Sequence, residues 1–261
     1  MKGGQKLNML LKSLHLATFV KNFESFAEKA QKAKLSYTEY LLELAQVESD
    51  ERQNKRVGKL LKQSKLPSGK TLESFDITGQ PALSAALLRE LAAGDCLDRC
   101  ENILIFGVPG TGKSHLCAAL GREWCLRGRK VFYTTAAALV QDLLAAKRDL
   151  NLNELIKKLD GYEALLIDDI SYVPQSRDET DVLFVLLAAR YETRSIVVTS
   201  NLVFSSWGEI FKDPMTTKAA IDRLVHHGTI LELVEVDGDS YRGKQAKTRN
   251  KRSRALAAAG A

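Results

Sequence analysis

The amino-acid sequence predicts an α/β fold: a parallel sheet flanked by helices and preceded by a small all-α domain. Three observations carry this reading. Residues 7–63 place apolar side chains at three- and four-residue steps, the spacing of helices rather than strands. From residue 102 to residue 233 short apolar runs alternate with helical stretches, which predicts a parallel sheet covered on both faces. After the first apolar run stands Gly107-Val108-Pro109-Gly110-Thr111-Gly112-Lys113-Ser114, which matches G-x-x-x-x-G-K-[ST], the phosphate-binding loop of P-loop NTPases.

The N-terminal helices come first in the chain. Leu7, Leu10, Leu11 and Leu14 lead into Phe19, Val20, Phe23, Phe26, Ala27 and Ala30 as a helical pattern. A second long helix is expected from Ser36, where Ser36-Tyr37-Thr38-Glu39 spells a capping box and Tyr40, Leu41, Leu44 and Val47 continue one apolar face. Past Glu48 charge takes over, with Arg52, Lys55, Arg56, Lys59, Lys62 and Lys65 set around the spaced anchors Val57, Leu60 and Leu61. Such a row serves either as the solvated face of a helical bundle or as a cationic surface for DNA or a partner. Leu66-Pro67-Ser68-Gly69 breaks the helix. The expected organisation is a helical domain over residues 1–66, a nucleotide-binding domain over 67–242 and a basic, disordered or DNA-contacting tail over 243–261.

In the second domain residues 81–93 read as a helix ending at Gly94, followed by the strand Asn102-Ile103-Leu104-Ile105-Phe106. Ser114 to Leu120 has helical spacing, Gly128 closes a turn, and residues 130–134 form a second strand. Helices over about 136–147 and 152–159 lead to Ala164-Leu165-Leu166-Ile167, a buried strand that ends in Asp168-Asp169. A helix over 180–193, a strand over 195–199, a helix over 219–227 and a strand over 229–233 complete the pattern, with no internal repeat.

Charge and composition narrow the functional classes. No apolar run approaches the ~20 residues of a membrane helix, and the first residues lack a secretory leader, so a cytoplasmic protein without membrane partners is expected. Cys96, Cys100, Cys117 and Cys125 form no CxxC pair, which points to reduced thiols. His226-His227 is a weak metal signal, because adjacent helical residues point about 100° apart. The net charge of +6 is segregated: residues 1–70 carry 14 basic and 7 acidic residues, and residues 71–241 carry 17 and 25. From Arg242 onward there are seven basic residues and no acidic ones. Cationic ends around an anionic middle suit a nucleotide-hydrolysing core whose flanks touch a polyanion.

The chemistry is expected where the strands end. Strand, glycine loop and helix let backbone N–H groups converge on β- and γ-phosphates, Lys113 adds a point charge, and the Ser114 hydroxyl can ligate Mg²⁺. Ligands in parallel sheets bind at the carboxyl ends of strands, which brings Asp168 and Asp169 near the loop. Asp168 is the candidate for the Mg²⁺ shell and Asp169 for polarising the attacking water. Asn201, in Thr199-Ser200-Asn201, is placed to hydrogen-bond the γ-phosphate or the water. Arg223 and Arg242 are candidates for stabilising charge on the transferring phosphoryl group, although on their own, without further support, surface salt bridges are the better account of them.

The run Gly107–His115, the acidic strand end and Arg190-Tyr191-Glu192 form part of a wider pattern. It continues through Thr199-Ser200-Asn201-Leu202-Val203-Phe204, Trp207-Gly208-Glu209-Ile210-Phe211, Asp213-Pro214, Asp222-Arg223-Leu224-Val225-His226-His227 and Ser240-Tyr241-Arg242. Together these segments resemble the IstB-type ATP-binding helper proteins of insertion-sequence transposons, AAA+ ATPases closely similar to DnaC-type replicative helicase loaders. The resemblance runs from the N-terminal helices through Arg242. It implies that ATP sits on Gly107–His115, with Lys113 and Ser114 in Walker A, Asp168 and Asp169 in Walker B and Asn201 as sensor I. Arg223 falls on the arginine finger that reaches a neighbouring subunit's ATP, and Arg242 on the sensor II arginine. Asp169 departs from the pattern, since many AAA+ proteins carry Glu there.

The same resemblance implies a ring or spiral of subunits that grips and bends duplex DNA, hydrolyses ATP and recruits its cognate transposase. A helicase loader would share every nucleotide-site residue, and an ATP-gated DNA-bending scaffold with negligible hydrolysis stands as a third reading.

Overall fold

A computed structural model of the chain describes residues 3–170, 176–202 and 214–234. The chain divides into two compact units, Met1–Lys59 and Leu60–Ala261. No helix among the described residues is long and apolar enough to cross a membrane.

In the first unit, α1 (Gly3–Ser13) and α2 (Ala17–Ala33) precede α3 (Tyr37–Gln63), whose last turn belongs to the second unit. The apolar pattern gives no sign of the break between α1 and α2, where His15 takes a left-handed φ of 57°. A distant carboxylate accounts for it. Leu16, the residue before α2, supplies no side-chain cap, and Glu48 accepts the Thr18 N–H at 2.8 Å instead. Arg52, itself largely exposed, then bonds the buried Glu48 at 2.6 Å and the His15 carbonyl at 2.7 Å, closing a polar link between the turn and α3. The expected capping box is present: the Ser36 N–H meets Glu39 Oε2 at 2.7 Å, and the Glu39 N–H meets Ser36 Oγ at 3.2 Å.

The second unit adds α4 (Ala85–Ala93), α5 (Asp95–Asp98), β1 (Asn102–Gly107), α6 (Lys113–Leu126), β2 (Val131–Thr135) and α7 (Ala136–Arg148). Then follow α8 (Leu152–Asp160), β3 (Ala164–Asp168), α9 (Arg177–Arg190), β4 (Ser195–Ser200), α10 (Pro214–Val225) and β5 (Gly228–Leu233). Three helix starts differ from expectation. α4 begins at Ala85 because Ser84 caps it through the Leu87 N–H, and α9 begins at Arg177 because Ser176 and Glu179 form a capping box. α10 begins at Pro214, a residue whose missing N–H costs a first turn nothing.

Among the described residues the five strands are all parallel, in the order β2-β3-β4-β1-β5. Strand side chains alternate between two cores, as a period of two requires. Leu104, Leu165, Ile167, Ile196 and Val198 face one core with α7, α8, α9 and α10. Ile103, Ile105, Leu166, Val197 and Leu231 face the other with α4 and α6, where Leu60, Leu61 and Leu66 also pack. α6 lies so close to the sheet that a Cβ at Gly121 would stand 2.6 Å from a Leu166 methyl, so a larger residue there would force Leu166 to shift.

Parallel strands end on one edge, and that edge receives the phosphate loop from β1, Asp168 and Asp169 from β3, and Ser200-Asn201 from β4.

Candidate functional site

Gly107, Gly110 and Gly112 take φ values of 147°, 92° and 100°, the left-handed region that side chains avoid. They bend the loop back on itself before α6. Thr111 stiffens the bend by donating its hydroxyl to the Val108 carbonyl at 3.0 Å, while Val108 and Pro109 are exposed. Lys113 lays its ammonium across the loop, 2.7 Å from the Gly107 carbonyl and 2.9 Å from that of Val108.

Across a cavity of about 440 Å³, this loop faces Asp168, Asp169, Thr199 and Asn201. Pro109, Gly110, Gly112, Lys113, Ser114 and His115 line the loop side, and Lys70 and Thr135 complete the walls. Asp168 is buried and each of its oxygens accepts one bond: Tyr133 donates its hydroxyl to Oδ2 and Thr199 donates to Oδ1, each at 2.6 Å. The Thr199 hydroxyl also accepts the Asp169 N–H at 2.8 Å. One threonine thus sets the geometry of both acids. Burial and the Asp168 carboxylate push the Tyr133 phenol far above its ordinary value, so it stays a donor.

Asp169 has a φ of 59°, a left-handed conformation in which Asp and Asn are enriched among non-glycine residues. That backbone gives a physical reason for the shorter acid at this place. Asn201 is exposed at the cavity rim.

His115 turns away from the loop to pin a neighbouring segment. Its Nε2 lies 3.0 Å from the Thr71 carbonyl and 3.1 Å from Ser74 Oγ, and a carbonyl can only accept, so Nε2 carries the proton. Burial pushes the imidazole below its ordinary pKa, the Thr71 bond opposes this, and the Lys70 charge adds to it.

The donor set fits a nucleotide polyphosphate with a hard dication. Two ammonium groups and a glycine-rich helix entry favour the anion. The Ser114 hydroxyl and the Asp168 carboxylate offer the oxygen ligands that Mg²⁺ takes, and each Asp168 oxygen keeps a second lone pair.

Arg223 is not brought to this cavity. Its guanidinium stacks 4.8 Å from the Phe184 ring centroid and lines a different cavity of about 570 Å³ with Tyr191, Asp222 and His226. Its Nη1 is buried and has no hydrogen-bond partner among the described residues. Arg242, the Trp207–Asp213 run and the Ser240–Arg242 segment lie outside the described residues.

His226 and His227 do stand beside Glu192, with ligand atoms within 4.8 Å of one another, but all three side chains are exposed. Each cysteine thiol is free, and burial pushes Cys96 up to about 11. Cys117 and Cys125 are also raised by burial, which leaves them unreactive.

Sequence reasoning missed Lys70, Tyr133 and the double role of Thr199. Thr199 lay within a noted polar strand end, whereas nothing local marks Lys70 or Tyr133.

Residues 9–249 match the family described as IstB-like ATP binding protein. An insertion sequence ATP-binding protein of Sinorhizobium fredii is 43% identical over 242 residues, 92% of this chain and 80% of that one. The IS21 ATP-binding protein of Pseudomonas aeruginosa is 38% identical over 242 residues, covering 93% and 90% of the two chains. Among solved structures, AMPPCP-bound DnaA from Aquifex aeolicus superposes with a TM-score of 0.56 at 24% identity. The match covers 72% of this chain and 56% of that one, so the chain spans just over half the length of that replication initiator. The DnaC helicase loader superposes with a TM-score of 0.53 at 16% identity, covering 64% and 97% of the two chains. At such identities the structural likeness speaks for the fold, the helix-flanked parallel sheet of AAA+ P-loop NTPases. Given the length of the family match and the identity to its insertion-sequence relatives, the chain belongs to the IstB-like ATP binding protein family.

Proposed function

We propose that this protein is an ATP-dependent DNA-binding helper of transposition. It assembles on duplex target DNA, hydrolyses ATP and recruits its partner transposase. The observation that carries the reading is the cavity in which the phosphate loop meets Asp168, Asp169, Thr199 and Asn201. Membership in a family of insertion-sequence ATP-binding proteins supports the transposition context.

In this reading Lys113 reaches the β- and γ-phosphates, the loop N–H groups cradle the α- and β-phosphates, and Ser114 and Asp168 hold Mg²⁺. The bound cation neutralises charge on the phosphate oxygens. Asp169 polarises the attacking water, and Asn201 hydrogen-bonds that water or the γ-phosphate. Arg223, turned away from its own cavity, reaches the ATP of a neighbouring subunit, and Arg242 acts as a further cation on the nucleotide. Hydrolysis then depends on assembly, because an isolated subunit lacks the arginine from its neighbour.

The basic row of α3 and the seven basic residues from Arg242 onward supply the phosphate-facing surface for DNA. The structural likeness to the DnaC helicase loader favours a second reading, in which the partner is a replicative helicase.

The deciding experiment images the protein on duplex DNA with a non-hydrolysable ATP analogue, beside Lys113→Ala. Wild-type protein should form multi-subunit rings or spirals on DNA and the variant should not. Assembly that proceeds unaltered in the variant removes the nucleotide-site assignment. Co-purification with a transposase or with a helicase separates the two partner readings.

A further inference from the structure

We propose that Lys70 is a second phosphate-binding cation of the cavity, directed at the α-phosphate end of the nucleotide, the part that ATP and ADP share. The proposal rests on the nucleotide-site reading above. The motif itself supplies one lysine, Lys113. The fold adds another from outside the motif, because Lys70 lines the same cavity and donates its Nζ to the Ser114 carbonyl at 3.3 Å. Among the described residues no carboxylate pairs with it, and the oxygen it meets is a neutral carbonyl. A phosphate oxygen is a stronger acceptor for a half-buried ammonium than a carbonyl is.

The two lysines occupy different places. Lys113 folds over the loop onto Gly107 and Val108. Lys70 is anchored at Ser114, in the first turn of α6 and one residue beyond the motif lysine. In a phosphate loop the motif lysine serves the β- and γ-phosphates while the backbone cradles the α- and β-phosphates. A cation held at the helix start therefore supplements the end that Lys113 leaves to the backbone.

The segment carrying Lys70 is held in place for this task. Thr71 and Ser74 exchange bonds, from the Thr71 N–H to Ser74 Oγ at 3.2 Å and from the Ser74 N–H to Thr71 Oγ1 at 3.3 Å. His115 ties both residues to α6. Phe75 is buried so close to the loop that a Cβ at Gly112 would stand 3.0 Å from its ring.

Titration calorimetry of the full chain with ATP and with ADP, each with magnesium, compares wild type with Lys70→Gln and Lys70→Arg. Loss of a charge-assisted hydrogen bond should weaken both nucleotides by about ten- to a hundredfold in Lys70→Gln, and by equal factors. Lys70→Arg should keep most of the affinity, and nucleotide-free melting temperatures should be the same for all three proteins. Unchanged affinity in Lys70→Gln overturns the proposal. A loss confined to ATP also overturns it, since that places the lysine at the γ-phosphate. A lowered melting temperature with equal losses in both variants overturns it as well, because Lys70 would then serve the fold. Wild-type protein that binds neither nucleotide defeats the proposed function itself, before any variant is compared.

Discussion

The hydroxyl of Thr199 lies 2.6 Å from Asp168 Oδ1 and accepts the Asp169 N–H at 2.8 Å, so one buried side chain orients the two acids at the end of β3. Its place follows from strand order. β3 and β4 are neighbours in register, Ile167 beside Val198, and the next residues on each strand are therefore the acid and the threonine. Thr199 is 1% exposed, which shields the pair of hydrogen bonds from competing water.

Thr199→Val keeps the shape and removes the hydroxyl. Asp168 then loses one donor and the Asp169 N–H loses its acceptor, a cost of about 1–3 kcal/mol for the orphaned group. Phosphate release should fall by about ten- to a hundredfold, the usual loss when a supporting hydrogen bond to a metal ligand is removed. ATP affinity, held by the loop and Lys113, should change little. Thr199→Ser should restore most of the rate, and a Val variant with wild-type turnover would show that the hydroxyl does not position the acids.

Arg223 tests whether the site is shared between subunits. The guanidinium rests on Phe184, away from the phosphate loop of its own chain. Arg223→Ala should leave ATP affinity nearly intact and reduce hydrolysis by about 10³-fold or more. Mixing it with Asp169→Asn protein, which keeps the loop and Lys113, should recover phosphate release, because each variant supplies what the other lacks. If the mixture stays as inactive as its components, the arginine does not act across subunits.

Local signals were legible in the sequence and convergent ones were not. The phosphate loop, the five strands and the Ser36–Glu39 capping box are written in adjacent residues, and each appears where its pattern places it. Ser176 and Glu179 spell the same S-x-x-E signature, but the apolar spacing drew the expected start of α9 to Thr180, past its cap. Tyr133 shows what strand spacing cannot tell. It reaches Asp168 only because β2 lies beside β3, and a sequence of alternating strands and helices does not state their lateral order. Glu48 is similar: it takes the place of an absent local cap from thirty residues away.

Glu48 makes the stability of the helical unit pH-dependent. Burial would raise its pKa, but the bonds from Arg52 and Thr18 outweigh that and hold it below the ordinary carboxylate value. A depressed folded pKa contributes stability that is complete above the unfolded value, about 4.3 for Glu, and is lost as the pH falls through the folded value. Glu48→Gln should melt at a lower temperature than wild type at pH 7. The gap should narrow below pH 4 as the wild-type carboxyl takes up its proton. Melting followed by circular dichroism at both pH values checks this, and a gap of constant size would show that the charge of Glu48 is not what holds the turn.

Arg190 is a cation that the fold uses for structure. It is fully buried at the end of α9, and its guanidinium donates to the carbonyls of Leu159 at 2.9 Å, Tyr162 at 3.0 Å and Ser195 at 3.0 Å. Asp160 stands 3.6 Å away as its counter-charge. Burial lowers the guanidinium to about 10, with Asp160 opposing, so it remains charged at neutral pH. These bonds clamp the end of α8 and the turn after it to the start of β4, the strand that delivers Thr199 and Asn201 to the cavity. Arg190→Met fills the space but leaves three carbonyls without their donor and Asp160 without its counter-charge, which should cost roughly 3–5 kcal/mol of stability. Arg190→Lys keeps the charge without the planar fork and can satisfy fewer of the three acceptors, so it should fall between wild type and Met. Urea unfolding of the three proteins ranks them, and a Lys variant as stable as wild type would show that charge alone, without the fork, holds the clamp.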